Sequence, residues 1–360
     1  MRISAGTYDV LVGRGTIAML SDVLRDTCAA HDYAVIADRH VADLYGERVL
    51  ASLTDAGLAA RLFTFPAGEW NKTREQWSAL TDQLLSARIG RDGAVVALGG
   101  GVAGDLGGFV AATYLRGVPC VHVPTSLLAM IDASIGGKTA VDVPAGKNLV
   151  GAFHAPRAVL ADVDLLATLP RPQLASGLAE AIKHGVIADA EYLREFEVPA
   201  ALLARDPAAL EPVVRRSVEI KAAIVAKDER EANQRQVLNY GHTVAHALEA
   251  LSGYALLHGE AVAVGMVVEA WIAEACGAAA RGLRQAVSDI LERCDLPTSI
   301  PEDLSTDALL EVMQSDKKAR ERAVRFALPS RLGAMARAAD GAWTLEVDAG
   351  LTRQALDTNR

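Results

Sequence analysis

The stretch GAVVALGGGVAGD, residues 93–105, decides the fold. It opens with a short apolar run of strand length, passes through three consecutive glycines and continues as an apolar helical pattern. A strand that turns through glycines into a helix is the repeating piece of a parallel sheet. Working outward, YDVLVG (residues 8–13), YAVIAD (33–38) and RLFTFP (61–66) alternate with helical segments that run to about Ala30, through the forties and fifties, and through Leu85. This βαβα rhythm predicts a parallel sheet covered by helices over the first 170 residues. Beyond Pro170 the chain changes to long Ala, Leu, Glu, Lys and Arg segments at helical spacing. The expected architecture is an α/β domain over residues 1–170 and a mainly α-helical domain over residues 171–360, with a short strand pair near residues 324–328 and 342–347.

The 360 residues are 51% apolar and 22% charged, enough for two cores at roughly 100 to 200 residues per domain. With 36 Lys+Arg against 45 Asp+Glu the net charge is −9, and only 5% of residues are aromatic, which argues against a nucleic-acid partner. The most apolar later stretch, residues 261–276, is interrupted by Glu269 and Glu274, short of the ~18 apolar residues a membrane span needs. The opening MRISAGTYDV has no apolar leader core, so the expected location is the cytoplasm. Cys28, Cys120, Cys276 and Cys294 form no close pair, which excludes a disulfide framework and a thiolate zinc site.

Three clusters carry chemistry. In the first, residues 99–105 match GxGxxG, in which glycines let backbone N–H groups approach a pyrophosphate at a helix N-terminus. A tight structural turn is the plain alternative, since no acidic residue follows at the usual distance of about 20. Asp38, closing a strand, is better placed to accept ribose hydroxyls, or simply caps a helix. In the second, residues 124–154 gather Asp132, Lys138, Lys147 and Asn148 among glycines, in what reads as loop rather than regular structure. The third is the sharpest. His242 and His246 are four apart on a helix and His258 follows after a turn with Gly253, so three of the eight histidines fall within 17 positions. With a carboxylate such as Glu180, neutral imidazoles make a catalytic metal site, although spacing does not say which of the three bind. Upstream, Glu231, Arg235 and Asn239 are successive fourth positions and line one stripe if residues 221–239 form a helix.

Together these segments resemble the 3-dehydroquinate synthase family. The resemblance runs from GEWNKT (residues 68–73) through GGGVAGDLGGFVAATYLRGV, the 124–154 segment, GLAEAIKHG, KDEREANQRQVLNYGHTVAHALE and HGEAVAVGM to the DKK of residues 316–318. It implies a Rossmann-like NAD-binding domain followed by a helical metal and substrate domain, usually in a homodimer. Carried over residue by residue, it assigns zinc or cobalt to Glu180, His242 and His258, leaving His246 near the substrate. It gives NAD+ to Asp38, Glu69, Lys72, Gly100, Gly101, Asp105, Thr125, Ser126 and Thr168, with Lys138 and Lys147 reaching both cofactor and substrate. It assigns catalysis to Asp132, Lys138, Lys183, Lys221, Glu231, Arg235, Asn239 and His246, and substrate binding to Arg116, Lys147, Asn148 and Lys317 or Lys318.

The reaction so implied converts 3-deoxy-D-arabino-heptulosonate 7-phosphate to 3-dehydroquinate and phosphate, with NAD+ oxidising an alcohol beside the metal and taking part catalytically. Three departures stand out: His40 where the family usually has Asn, Asn233 where Gly is common, and His184 in place of a frequent Tyr. Asn tolerates the left-handed backbone a Gly supplies, and His184, four after Glu180, offers a competing ligand. The alternatives are another sugar phosphate cyclase, a metal-dependent polyol dehydrogenase that would release NADH, and a metal-stabilised binding module. The intact Arg116, Lys221, Asn239 and His246 set favours dehydroquinate synthesis.

Overall fold

The computed structural model describes residues 1–253, 255–315 and 324–360. The apolar runs of the first half become strands β1 (Arg2–Ser4), β2 (Asp9–Gly13), β3 (Tyr33–Asp38), β4 (Ala60–Phe65), β5 (Ala94–Gly99), β6 (Cys120–Pro124), β7 (Lys138–Val143), β8 (Gly146–Phe153) and β9 (Ala158–Asp162). Between them lie α1 (Leu20–Thr27), α2 (Arg39–Val41), α3 (Glu47–Asp55), α4 (Arg74–Ser86) and α5 (Gly101–Thr113). Strands β3, β5, β6 and β9 have no exposed residue, as expected of a parallel sheet with both faces covered.

The sheet has seven strands in the order β1-β2-β9-β6-β5-β3-β4, parallel except for the edge pair β1 and β2. From β3 the chain adds β4 on one side and then returns to add β5 on the other. The order therefore reverses between β3 and β5, and in such sheets the crevice outside the carboxyl ends at the reversal is where ligands bind. Asp38 ends one of these strands and Gly99 the other. Against the sheet, α4 and α5 bury Leu80, Leu84, Leu106 and Val110 beside Ile36, Phe63 and Val95.

Residues 124–154 depart from the loop expected of them, since β7 and β8 form an antiparallel hairpin joined through residues 144–145. The signal is the alternation in KTAVDV, which turns Thr139 and Val141 inward. Gly108 of α5 makes room for this packing: a Cβ there would lie 2.5 Å from Thr139 Cγ2.

The second half is mainly helical: α6 (Arg171–Ala188), α7 (Ala200–Leu203), α8 (Pro207–Lys227), α9 (His242–Leu251), α10 (His258–Ala275), α11 (Leu283–Arg293), α12 (Thr306–Ser315) and, after the short strands, α13 (Ala349–Thr358). The expected strand pair forms, β10 (Val324–Phe326) against Leu345–Val347. The chain divides into two compact units, Met1–Leu169 with Leu210–Ala226, and Pro170–Ala209 with Lys227–Arg360. Most of α8 thus belongs to the first unit.

In the second unit α6 and α10 are apolar nearly all round and buried, as core helices are. Two glycines notch α10. A Cβ on Gly259 would lie 2.0 Å from the Ser176 carbonyl oxygen, and one on Gly265 would lie 2.0 Å from that of Gly241. Both neighbours are backbone, so at these positions α10 touches main chain directly.

The helix expected through residues 221–239 stops at Lys227. The Asp228 carboxylate accepts the backbone N–H groups of Ala232, Asn233 and Arg235 at 2.9, 2.7 and 3.0 Å, which folds the chain into a loop before a short 3-10 turn at Gln234–Asn239. Asn233 is not left-handed, having φ −149°; the left-handed residue is Glu231, at φ 59°.

Candidate metal centre and nucleotide cradle

In the second unit, three elements deliver three donors to one point. Glu180 lies mid-way along α6, His242 is the first residue of α9 and His258 the first residue of α10. Nε2 of His242 and Nε2 of His258 lie 3.4 and 3.3 Å from the same Glu180 oxygen, Oε1. One ligand atom from each residue falls within 4.8 Å of the others, a spacing that suits a single cation.

Glu180 is fully buried and forms an ion pair with Lys183 one turn further on. Burial alone raises its carboxyl, but Lys183, His242 and His258 hold it well below the usual carboxylate range. Burial and then Lys183 push the His242 ring down to about 3, so it is neutral. Its Nδ1 faces the Tyr240 carbonyl at 3.1 Å, and a carbonyl only accepts, so Nδ1 carries the hydrogen and Nε2 the lone pair. Burial depresses His258 too, but hydrogen bonds to Glu180 and Glu249 raise it to about 10. A cation taking Nε2 of His258 displaces a proton there. An ionised carboxylate and two imidazoles, each anchored behind, form a donor set that fits a divalent metal.

The turn entering α9 is held in detail. Gly241, at φ 81°, donates its N–H to Glu269 Oε2 at 2.8 Å, and the Tyr240 hydroxyl donates to the Met266 carbonyl at 2.7 Å. His246 stands one helical turn beyond His242, its exposed ring edge-on at 5.7 Å between centroids. His184, the residue named above as a competing ligand, is buried one turn past Glu180. Asn239 Nδ2 donates to Glu231 Oε1 at 2.7 Å, so these two meet although no helix joins them. Arg235, of the same expected stripe, is buried and turns its guanidinium to the Glu229 carbonyl. Lys317 and Lys318 lie outside the described residues.

In the first unit, Gly99 and Asp38 meet at the strand-order reversal, where a Cβ on Gly99 would lie 3.5 Å from Asp38 Oδ2. Gly100 caps α5 and Gly101 starts it, leaving the helix N-terminus with no side-chain cap. Ser126 closes over this turn, 3.4 Å from a Cβ built on Gly100, and the Thr125 N–H donates to the Gly99 carbonyl at 2.9 Å. Asp38 also caps α2 by accepting the Val41 N–H at 3.0 Å, the plainer role allowed for it above. Thr168 shares a hydrogen bond with the Tyr45 hydroxyl.

Beside this turn, Lys72 is buried with Glu69, Asp105 and Asp142 oxygens at 3.0, 3.2 and 3.6 Å and Asn148 Oδ1 at 2.8 Å. Burial works against its charge, but the three carboxylates more than compensate and keep it protonated. Burial raises Asp105 to about 6 despite Lys72. Lys147 lies 3.7 Å from Glu69. Lys221, on the part of α8 within this unit, donates to the Asp132 carbonyl and to its carboxylate, both at 2.6 Å. Lys138 and Arg116 are exposed, and Arg116 follows Leu115 in a left-handed pair at φ 72° and 49°. Arg116 and Glu231 are thus candidate site residues held in a costly backbone conformation, whereas Asn148, at φ 57°, is a residue type that tolerates it.

Sequence reading overlooked Asp142, Tyr45, Glu249, Glu269 and Ser176. Asp142 sits in the same DVPAGKN turn as Lys147, and Glu249 lies seven after His242 and three after His246, on the histidine face. A charged residue on that face was the available signal.

Known proteins resemble this chain over its length. The family described as 3-dehydroquinate synthase N-terminal matches residues 62–176, and 3-dehydroquinate synthase C-terminal matches residues 177–319. A 3-dehydroquinate synthase of Symbiobacterium thermophilum is 49% identical over 336 residues, covering 92% of this chain and 94% of the relative. Among solved structures, a 2-deoxy-scyllo-inosose synthase complexed with carbaglucose-6-phosphate, NAD+ and Co2+ superposes with a TM-score of 0.91 at 26% identity, covering 100% of this chain and 99% of that one. A 2-epi-5-epi-valiolone synthase of Streptomyces hygroscopicus with NAD+ and Zn2+ bound gives 0.87 at 30% identity, covering 99% of each.

Proposed function

This chain belongs to the 3-dehydroquinate synthase family, and from that membership and the site geometry we propose that it converts 3-deoxy-D-arabino-heptulosonate 7-phosphate to 3-dehydroquinate and phosphate. The observation that carries the reading is the buried, ionised Glu180 with two imidazole nitrogens on one of its oxygens. The cofactors are NAD+ and a divalent metal, zinc or cobalt, as in the similar cyclase structures.

NAD+, when bound, supplies a hydride acceptor that is regenerated within the turnover, and the divalent metal supplies Lewis acidity at the alcohol to be oxidised. The residues of the chain do the rest. Gly100, Gly101 and the uncapped start of α5 receive the pyrophosphate, and Asp38 the ribose hydroxyls. Glu180, His242 and His258 would hold the metal, and Lys183 keeps Glu180 ionised. Lys138, Lys147, Lys221, Arg116 and Arg235 neutralise the anionic ends of the substrate. Elimination breaks the carbon–oxygen bond to phosphate, which leaves with the bonding electrons as a neighbouring carbon loses its proton to a phosphate oxygen. Fixed cations stabilise charge where it develops on the leaving group. Asp132, held by Lys221, and Glu231, held by Asn239, orient the substrate hydroxyls, and His246, one helical turn beyond His242, would add a polar contact to the substrate.

We also assign the protein to the cytoplasm as a homodimer. Three of its four free cysteines are buried, consistent with a reducing compartment, and Leu149 and Phe153 of β8 offer exposed apolar surface. No helix among the described residues is long and apolar enough to cross a membrane. The test is phosphate release from 3-deoxy-D-arabino-heptulosonate 7-phosphate with NAD+ and zinc each present or withheld, the carbocycle being identified by mass and NMR. Release that needs both, with dehydroquinate formed and no net NADH, is expected. No release, release from a hexose 6-phosphate instead, or net NADH from a polyol overturns the reading.

A further inference from the structure

Each donor of the metal centre has a group behind it. Lys183 backs Glu180, the Tyr240 carbonyl backs Nδ1 of His242, and Glu249 backs His258. Glu249 belongs to none of the assignments above. It lies on α9 and its side chain is 4% exposed, a costly place for a carboxylate. Its Oε2 is 3.5 Å from Nδ1 of His258, while the opposite ring nitrogen points at Glu180. His258 opens α10 and has no helical turn before it to fix its ring, so orientation must come from outside the helix.

We propose that Glu249 is a positioning residue for the metal: it accepts the Nδ1–H of His258, so that Nε2 carries the lone pair, and its charge makes that nitrogen a stronger donor. The inference rests on the metal reading of Glu180, His242 and His258. A carboxylate behind a ligating histidine fixes tautomer and ring direction, and losing one costs roughly 10- to 100-fold in metal affinity. The charge is separable from the hydrogen bond, since Glu249→Gln keeps an acceptor of the same shape and Glu249→Leu removes it.

The experiment uses the full-length protein stripped of metal and titrated with cobalt(II) against a competing chelator. It follows the visible absorption of bound cobalt and, in the zinc-loaded protein, the ring nitrogen signals of labelled histidine. Glu249→Gln is expected to bind about 10-fold more weakly and Glu249→Leu about 100-fold, each with a shifted cobalt spectrum. The Nδ1–H form of His258 is expected in the parent and lost in Glu249→Leu. Glu180→Gln runs beside them. If Glu180→Gln binds cobalt as the parent does, the metal reading itself fails. If Glu180→Gln is impaired while both Glu249 variants keep the parent's affinity, spectrum and tautomer, the role given to Glu249 is wrong and the metal reading stands. Thermal unfolding of the metal-free variants identifies a misfolded Glu249→Leu, in which case the isosteric Glu249→Gln decides.

Discussion

Replacing Gly259 with Ala places a methyl group 2.0 Å from the Ser176 carbonyl oxygen and 2.5 Å from its carbonyl carbon and Cα. A comfortable carbon–oxygen contact is about 3.3 Å, near the bottom of the dispersion well, so the start of α10 must withdraw from α6 by roughly 1 Å. Nothing nearby yields cheaply, because all three atoms are backbone within a helix. The withdrawal also breaks the hydrogen bond of 2.9 Å from the Gly259 N–H to Ser176 Oγ. Overpacking costs about 1 to 3 kcal/mol and the stranded N–H about 1 to 3 more, against a helix-propensity gain of up to about 1. The net loss is about 1 to 6 kcal/mol, a fall in Tm of at least about 2 °C. His258 precedes Gly259 and moves with it, and a metal constellation must be kept to within about 0.5 Å, so zinc affinity falls too. Ser176→Ala is the control: it strands the same N–H without the clash, and should cost about 1 to 3 kcal/mol and leave zinc affinity within a few-fold. Calorimetry of the metal-free proteins and zinc titration with a chelator measure both effects. A Gly259→Ala protein with the parent's Tm and zinc affinity refutes the reasoning.

In the first unit, His122 is 4% exposed and neither ring nitrogen has a hydrogen-bond partner among the described residues. Burial, with a smaller contribution from His154, lowers its pKa to about 4. Its folded value lies below the unfolded one, so the unfolded chain binds the extra proton between pH ~6.5 and ~4 and stability is lost as pH falls through that window. The loss reaches about 2 kcal/mol at pH 5, and denaturant unfolding of His122→Leu should show a flatter pH profile than the parent. Lys72→Met removes the buried ammonium shared by Asp105, Asp142 and Glu69, of which Glu69 keeps Lys147 at 3.7 Å, and should cost about 3 to 5 kcal/mol at pH 8. The carboxylates' pKa values then rise in the folded state, so part of the loss returns on acidification; urea titrations at pH 8 and pH 5 that show equal destabilisation contradict this.

The parallel sheet was legible because strands covered on both faces cannot afford polar residues, and YAVIAD and AVVALG advertise that. The histidine cluster was legible because three histidines lie so close together, but spacing did not say which two of them would meet Glu180. The hairpin was hidden by its glycines and charges: Lys138, Asp142, Lys147 and Asn148 drew the eye to a loop, whereas the alternation beneath them sets the backbone. Residues 228–239 show the opposite case. Fourth-residue spacing suggested a helix, but one Asp228 carboxylate collecting three N–H groups outweighs the helical pattern, and periodicity carries no record of such a competitor. Glu249 shows in the sequence as a charge on the histidine face, but its partner on α10, like that of Ser176 on α6, lies across helices, and spacing along one helix does not reveal what a neighbouring helix brings.

The first unit takes back Leu210–Ala226 after the chain has already entered the second. During synthesis its sheet is complete once Asp162 has emerged, yet Lys221, which holds Asp132, arrives 59 residues later, by the difference of the two numbers. For that interval the nascent first unit lacks Leu210–Ala226, while residues 170–209 of the other unit are already made. The same interleaving defeats any single cut in the gene: a fragment ending at Leu169 lacks part of its own packing, and a fragment beginning at Pro170 carries a helix segment that belongs elsewhere. The two units are distinct in their packing and interleaved in the order of the message.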